Sequence, residues 1–374
     1  MSDIVLSASV RQNLLSLQST ADLLSTTQNR LATGNKVNSA LDNPTNYFTA
    51  QGLNSRASDI NNLLDGIGNG VQVLQAANTG ITSLQKLVDT AKSIANQALQ
   101  TNSGYTTKSS VAYTGAGAGT GAATADDLTG GGGAGGSKLT GSAFVFTTEA
   151  GAKTITIDGT TVKSLADLNK ALSSNGVSLT ASLTGANELT FTSTNDSAGQ
   201  TITTATTAAA AGTITGDAIE ISIAAASATA GSVTAAVPDA VSQSNRASLV
   251  SQYNQILDQI KTTAQDSSFN GVNLLNGDQL KLVFNETGKS TLTIQGVTFD
   301  PAGLGLNTLT AGTDFVDNFM TNKVLTSLNN ASSTLRSQAS TLGSNLSIVQ
   351  IRQDFSKNLI NVLQTGASNL TLAD

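Results

Sequence analysis

VRQNLLSLQSTADLLSTTQNRLATGN, residues 10–35, sets apolar side chains at Val10, Leu14, Leu17, Ala21, Leu24 and Leu31, in steps of four and three with only Gln28 interrupting. Steps averaging 3.5 residues keep one stripe of a helix turned toward a partner helix, the pattern of a coiled-coil seam. The stripe stops at Gly34-Asn35, a helix-ending pair, after Arg30 has set a cation near the negative end of the helix dipole. The loop beyond closes at Asn43-Pro44, where the asparagine suits a cap and the fixed φ of proline suits the first helical position.

The spacing predicts a second helix from there to about Gln100, carrying Ala50, Leu53, Ala57, Ile60, Leu64, Ile67, Val71, Leu74, Ile81 and Val88 on the same period. At 1.5 Å per residue it spans roughly 85 Å. Gly66, Gly68, Gly70 and Gly80 each cost such a helix about 1 kcal/mol relative to alanine, so packing against partner helices is expected to hold it. Helical pattern returns after Pro238 with Leu249, Val250, Tyr253, Ile256, Leu257, Ile260 and Ala264. A β-hairpin follows, Leu280, Leu282 and Phe284 against Leu292 and Ile294 across an Asn285 to Gly288 turn. The last helix opens near Asp314 and Asp317, acids that suit a positive helix N-terminus, and repeats Leu328, Leu335, Leu342 and Val349 at sevens.

The middle of the chain changes character to Gly, Ala, Thr and Ser. Strands are predicted at Ala143–Phe146, Thr154–Ile157, Val177–Leu183 and Leu189–Ser193, and a short helix at the capping box Ser164 to Asp167, giving a compact α+β module of about ninety residues. Gly115–Gly136 and Thr203–Ala236 are low-complexity and receive no assignment. The fold class is α+β: an elongated long-helix bundle, with coiled-coil-like N- and C-terminal helices plus a β-hairpin, and an inserted β-rich outer domain. Its parts are residues 1–42 (terminal helix and loop), 43–102 (long core helix), 103–240 (β-rich insertion), 241–312 (helix and hairpin) and 313–374 (C-terminal helix).

Composition narrows the function. Charged residues are 12% of the chain, about half the usual share, so helices this long lack the Lys/Glu coat of a monomer and their outer faces are expected to meet other subunits. A net charge of -6 without a dense basic cluster argues against nucleic acid as a partner. No apolar run reaches the length of a membrane span, and no cleavable signal is seen. Histidine and cysteine are absent, which removes imidazole bases, thiol nucleophiles and the usual zinc sets; no catalytic, cofactor or metal site is expected. Gly288-Lys289-Ser290 lacks the glycine a phosphate loop needs at Val283, and the glycine run from Gly130 to Gly136 reads as a surface loop.

The stretch from Asn29-Arg30-Leu31-Ala32-Thr33-Gly34 through Asn43-Pro44 closely resembles the signature near the N-terminus of bacterial flagellins. Asp65-Gly66-Ile67, Phe269-Asn270-Gly271-Val272-Asn273-Leu274-Leu275, and the region from Arg336 through Leu342-Gly343 and Asp354-Phe355 to Gln364-Thr365-Gly366 resemble further landmarks of that family, in family order. The resemblance implies a secreted, extracellular homopolymer, the flagellar filament, with terminal helices in inner tubes and the insertion projecting outward. It also implies export by the flagellar type III apparatus, and an export chaperone, the filament cap and the hook-filament junction as partners. A junction protein is the alternative with the same terminal helices. A flagellin carrying a metallopeptidase is the enzymatic rival, and its paired histidines are missing here.

The expected subunit-packing seam is Val10, Leu14, Leu17, Leu24, Leu31, Ile60, Leu64, Ile67, Val71, Leu74, Leu328, Leu335, Leu342 and Val349, uncovered at both chain ends until neighbours dock; the alternative reading of the same stripes is a bundle core within one chain, and the two can coexist in a filament. Two departures from the family bear on function. Flagellins continue beyond Leu370-Thr371-Leu372-Ala373-Asp374 into one more helix of the innermost tube. The segment that animal innate immune receptors read aligns with Gln85, Lys86, Leu87, Val88 and Asp89, with Val88 in place of the motif's arginine, so weak or no activation is expected.

Overall fold

Residues 8–102, 104–116, 119–130, 136–185, 187–205, 217–223 and 228–373 are described by the computed structural model of the chain. Helices start and stop at the residues that punctuate the sequence. α1 (Ala8–Thr33) ends before Gly34, whose φ of 69° is the left-handed conformation that a glycine cap supplies. α2 (Pro44–Gln100) begins on its proline, with Asn43 Oδ1 accepting the Asn46 amide at 3.0 Å. α3 (Leu165–Ser174) carries the predicted capping box, the Asp167 amide donating to Ser164 Oγ at 3.1 Å and the Ser164 amide to Asp167 Oδ2 at 3.0 Å. α4 is Ala240–Asp266. α5 (Asn318–Thr371) is capped by Asp317, which accepts the Met320 amide at 3.1 Å; Asp314 instead accepts the Thr310 amide at 2.7 Å in the loop before it.

Two compact units compose the chain, and their boundary crosses both α2 and α5. One unit holds Thr82–Ala264 and Phe299–Ser337. Its β-rich part contains two four-stranded sheets. The first, entirely antiparallel, orders β5 (Leu179–Gly185), β6 (Glu188–Ser193), β2 (Ser110–Gly115) and β9 (Ala228–Thr234). The second orders β4 (Gly151–Thr156), β3 (Ala143–Thr148), β8 (Ala218–Ile223) and β7 (Thr201–Ala205), with β7 and β8 parallel. Alternate residues of these strands turn inward, because side chains of a strand alternate between faces. Tyr113, Phe144 and Phe191 meet edge to face at centroid distances of 5.1 to 5.9 Å, and Tyr113 Oη donates to the Ile221 carbonyl at 2.9 Å, tying β2 of one sheet to β8 of the other. α3 is fastened to β5 by Asn169, which accepts from the Ala181 amide at 2.7 Å and donates to its carbonyl at 3.0 Å.

All four predicted strands are present as β3, β4, β5 and β6, but the module is larger than ninety residues, since β2, β7, β8 and β9 complete its sheets. A pair of short strands, β1 (Tyr105–Thr107) and β10 (Val237–Pro238), brings its two ends together. The low-complexity stretches thus contribute strands; their residues 117–118, 131–135, 206–216 and 224–227, which include the interior of the glycine run, lie outside the described residues.

Arg246 of α4 is among the largest fully buried side chains of this unit. Its guanidinium donates to the Thr101 and Asn102 carbonyls, at 2.8 and 2.9 Å, just past the end of α2, and to the Phe315 carbonyl at 2.7 Å and Asn318 Oδ1 at 3.3 Å, where α5 starts. Burial lowers its pKa, yet a guanidinium stays charged, and here backbone carbonyls replace its hydration.

The other unit holds the chain up to Ile81, Gln265–Thr298, and the chain from Gln338. Ala57 and Ile60 of α2 pack on Ile360 and Leu363 of α5, with Leu53, Leu64 and Leu359 around them. The hairpin of β11 (Gln279–Val283) and β12 (Thr291–Gln295) pairs Leu280 with Ile294 and Leu282 with Leu292. The glycines of α2 find their reason here, and it is not the helix partner the sequence suggested. A Cβ on Gly70 would stand 3.0 Å from Leu282 Cδ1, and one on Gly80 would stand 2.6 Å from Leu275 Cδ1, so both admit the hairpin and its approach loop. Gly66 faces open space.

These surroundings separate the glycines by sign. Gly66→Ala is expected to stabilise the protein by up to about 1 kcal/mol, and Gly80→Ala to destabilise it by about 1–3 kcal/mol through overpacking. Thermal unfolding of the two variants beside the parent checks both.

Candidate functional site

No residue of α1 is buried, although the helix carries Val10, Leu14, Leu17, Leu24 and Leu31, which are 45 to 84% exposed, together with Leu15 and Leu23. A helix of this length is marginal by itself in water, and in proteins the packing of an apolar face supplies most of its stability. Here the single chain offers that face no cover.

The rest of the predicted seam divides. Ile60, Ile67, Val71, Leu74, Leu328, Leu335, Leu342 and Val349 are buried and Leu64 is half-buried, all within one chain. That corrects the expectation of an uncovered stripe at Leu328, Leu335, Leu342 and Val349. A leucine every seventh residue marks a buried helix face equally well whether the cover is another subunit or the same chain. What α5 leaves uncovered is a different row: Ile348, Ile351, Phe355 and Val362, at 43 to 66% exposure, spaced by three, four and seven. The sequence did carry a sign of this second face in its adjacent apolar pairs Ile348-Val349 and Val362-Leu363, one member facing in and the other out.

The loop after α1 is held at both ends. Asp42 accepts the amides of Asn38 and Ser39 at 3.0 and 2.9 Å and the Ser39 hydroxyl at 3.2 Å. Those backbone hydrogen bonds, from Asn38 first and Ser39 next, hold its carboxyl below the ordinary carboxylate range. The end of α5 meets the other side of the loop: the amides of Lys36 and Val37 donate to the Thr371 carbonyl at 2.8 and 3.2 Å, and the Ala373 amide donates to the Gly34 carbonyl at 3.0 Å. The signature residues therefore form a backbone junction between the foot of α1 and the last turn of α5.

In the receptor-segment counterpart, Val88 is fully buried, Gln85 and Leu87 are half-buried, and Lys86 and Asp89 are exposed. The apolar residue at the motif's arginine position thus belongs to the chain's own core. Among the described residues no helix is long and apolar enough to cross a membrane.

Residues 5–114 match the bacterial flagellin N-terminal helical region, which spans α1, the signature loop, α2 and the first strands. Over these residues the chain is similar to bacterial flagellins. Flagellin FljJ of Caulobacter vibrioides is a curated relative, 29% identical over 147 residues, which are 38% of this chain and 52% of the relative. The chain thus spans about half the length of the curated relative it matches. The α+β architecture, with long helices and a β-rich insertion, is consistent with that similarity.

Asp42→Asn removes the charge that gathers the loop amides. Faster hydrogen exchange at the Asn38 and Ser39 amides, with α2 unaffected, is the expected result. In the parent, the same loosening should follow acidification through the lowered pKa of Asp42, because a carboxylate stabilised by folding loses that contribution once protonated.

Proposed function

We propose that this protein is a flagellin, a subunit of the extracellular flagellar filament, a homopolymer serving motility, in which α1 and the exposed row of α5 are covered by neighbouring copies. The observation that carries this is α1, a helix with a coiled-coil stripe and no buried residue. Burying a large aliphatic side chain contributes about 1.5–3 kcal/mol. Five seam residues then offer on the order of 10 kcal/mol per subunit before the cost of ordering is subtracted. Ile348, Ile351, Phe355 and Val362 supply a second row on the same terms. Ile60, Ile67, Val71, Leu74, Leu328, Leu335, Leu342 and Val349 hold each subunit's own helices together, and Leu64 sits at the edge of that core. Export through the flagellar type III apparatus, with a chaperone before assembly and the cap and junction proteins at the filament's ends, is part of the same proposal and is supported by the similarity to flagellins.

Replacement of apolar side chains on the proposed contact rows separates assembly from folding. Leu14→Glu together with Leu17→Glu, and separately Phe355→Glu, should leave circular dichroism and the unfolding midpoint of the monomer near those of the parent while abolishing filaments in electron micrographs. Leu335→Ala, in the chain's own core, should instead destabilise the monomer by about 2–5 kcal/mol. Filaments of normal length from the Leu14/Leu17 variant, or a parent that caps filaments without forming any, would contradict the proposal.

The buried Val88 leads to a further expectation for purified monomer applied to cells that report on the animal flagellin receptor. Activation should be weak or absent. A potent response would show that the exposed Lys86 and Asp89, with the half-buried Gln85 and Leu87, suffice without the arginine.

A further inference from the structure

Where α5 enters the β-rich unit, five buried oxygens lack a hydrogen-bond partner among the described residues: Ser197 Oγ, Gln200 Oε1, both carboxylate oxygens of Asp217, and Asp317 Oδ2. They belong to one place. The Asp317 carboxyl, the Ser197 hydroxyl and the Gln200 amide all act on the Asp217 carboxyl. Ser197 and Asp317 are fully buried and Gln200 nearly so. The fold fixes each of them: Asp317 by its capping bond to Met320, Gln200 by its amide donating to the Ser197 carbonyl at 3.0 Å, and Asp217 by its carbonyl accepting the Thr201 amide at 3.0 Å beside the β7 and β8 pairing. The Phe319 amide also donates to the Asp196 carbonyl at 2.7 Å and Asn318 Nδ2 to Asp196 Oδ1 at 3.0 Å, locking the loop onto the first turn of α5.

Charge does not balance there. Arg246 is the buried cation that acts on Asp317, and four of its five N–H donors are already given to the Thr101, Asn102 and Phe315 carbonyls and Asn318 Oδ1. Tyr105, the other titratable neighbour, adds no positive charge, and its phenol is itself pushed up by burial and by the two carboxyls. A buried carboxylate without a partner is costly. One shared proton would supply a single hydrogen bond between the carboxyls and leave the remaining acceptors unmatched. A hard cation takes several oxygens at once, carboxylate, amide carbonyl and hydroxyl alike, and completes its shell with water. Asp217 and Gln200 line a cavity of about 370 Å³, bordered also by Glu149, Lys323 and Phe319, from which ion and water can reach the group.

We propose that Asp217, Asp317, Gln200 and Ser197 form a calcium-class cation site that fastens the β-rich insertion to the start of α5. No local pattern hints at it, because the expectation of no metal site rested on missing histidine and cysteine, and an all-oxygen donor set drawn from four separate positions needs neither. The adverse environment of the Asp217 carboxylate, pushed up to about 8 by burial and by the adjacent Asp317, fits a group that gains from a counter-ion.

The test uses the full chain after chelation and desalting. Isothermal titration with CaCl2 should give one ion per chain. At calcium a hundredfold above the Kd, the unfolding midpoint should rise by about 5 °C or more. Asp217→Asn, which keeps the shape and removes a charge, should lose both effects. Terbium provides a readout independent of that variant's folding: tyrosine-sensitised emission should appear on binding and fall several-fold in Tyr105→Phe, whose ring lies beside the site. Absence of stoichiometric calcium binding, binding undiminished in a folded Asp217→Asn, or terbium emission indifferent to Tyr105→Phe each overturns the proposal. Filament formation is not part of the readout, so failure here leaves the filament reading standing, and the reverse.

Discussion

A helix stripe built for a partner helix must be covered or it costs stability. In this protein that constraint separates two kinds of leucine ribbon. On α2 and α5 the ribbon from Ile60 to Leu74 and from Leu328 to Val349 finds cover inside the chain. On α1 nothing covers Leu14, Leu17 or Leu31, and α5 shows a second row outward. The low charge of the chain belongs to the same logic, since surfaces that are to be buried against copies of themselves cannot carry a dense coat of lysine and glutamate. Fold and assembly are thus one problem solved in two steps, the core within each molecule first and the exposed rows between molecules afterwards.

The insertion is attached by polar rather than apolar means. Arg246 gathers the carbonyls at the end of α2 and the start of α5, and β1 and β10 draw the ends of the β-rich part together next to it. A buried guanidinium satisfied by carbonyls specifies one arrangement of these segments, because any other leaves a charge or several acceptors unpaired. Between the two sheets the aromatic group of Tyr113, Phe144 and Phe191 packs within a largely aliphatic core that includes Ile155, Leu189, Ile219 and Ile221.

How much of this could be read from the sequence depended on how local the cause was. Helix ends were legible because their causes lie within a few residues: Gly34 with its positive φ, the Asn43-Pro44 start, the Ser164 to Asp167 box. The hairpin and four strands were legible from alternation. β9, written Ala-Thr-Ala-Gly-Ser-Val-Thr, was not, because it has few branched or aromatic residues and is held by pairing with β2 rather than by its own pattern. β8 alternates Ile219, Ile221 and Ile223 but lay hidden in a biased stretch. Of the candidate site, the α1 seam was legible in full, whereas periodicity could not say which cover a buried face meets, so the uncovered row of α5 was missed. Arg246 reaches Asn102 across 144 positions, and Asp217 meets Asp317 from a distant part of the chain, beyond the reach of any local pattern.

The central claim is that α1 stands unsupported in one molecule and is enclosed in the polymer. Hydrogen exchange of its backbone amides, followed by mass spectrometry on monomer and on filament at equal pH and temperature, tests it most directly. The account predicts exchange across Leu14 to Leu31 that is fast in the monomer and slowed by orders of magnitude in the filament, while the buried part of α2 around Leu74 is protected in both. Equal and strong protection of α1 in the two states would contradict it.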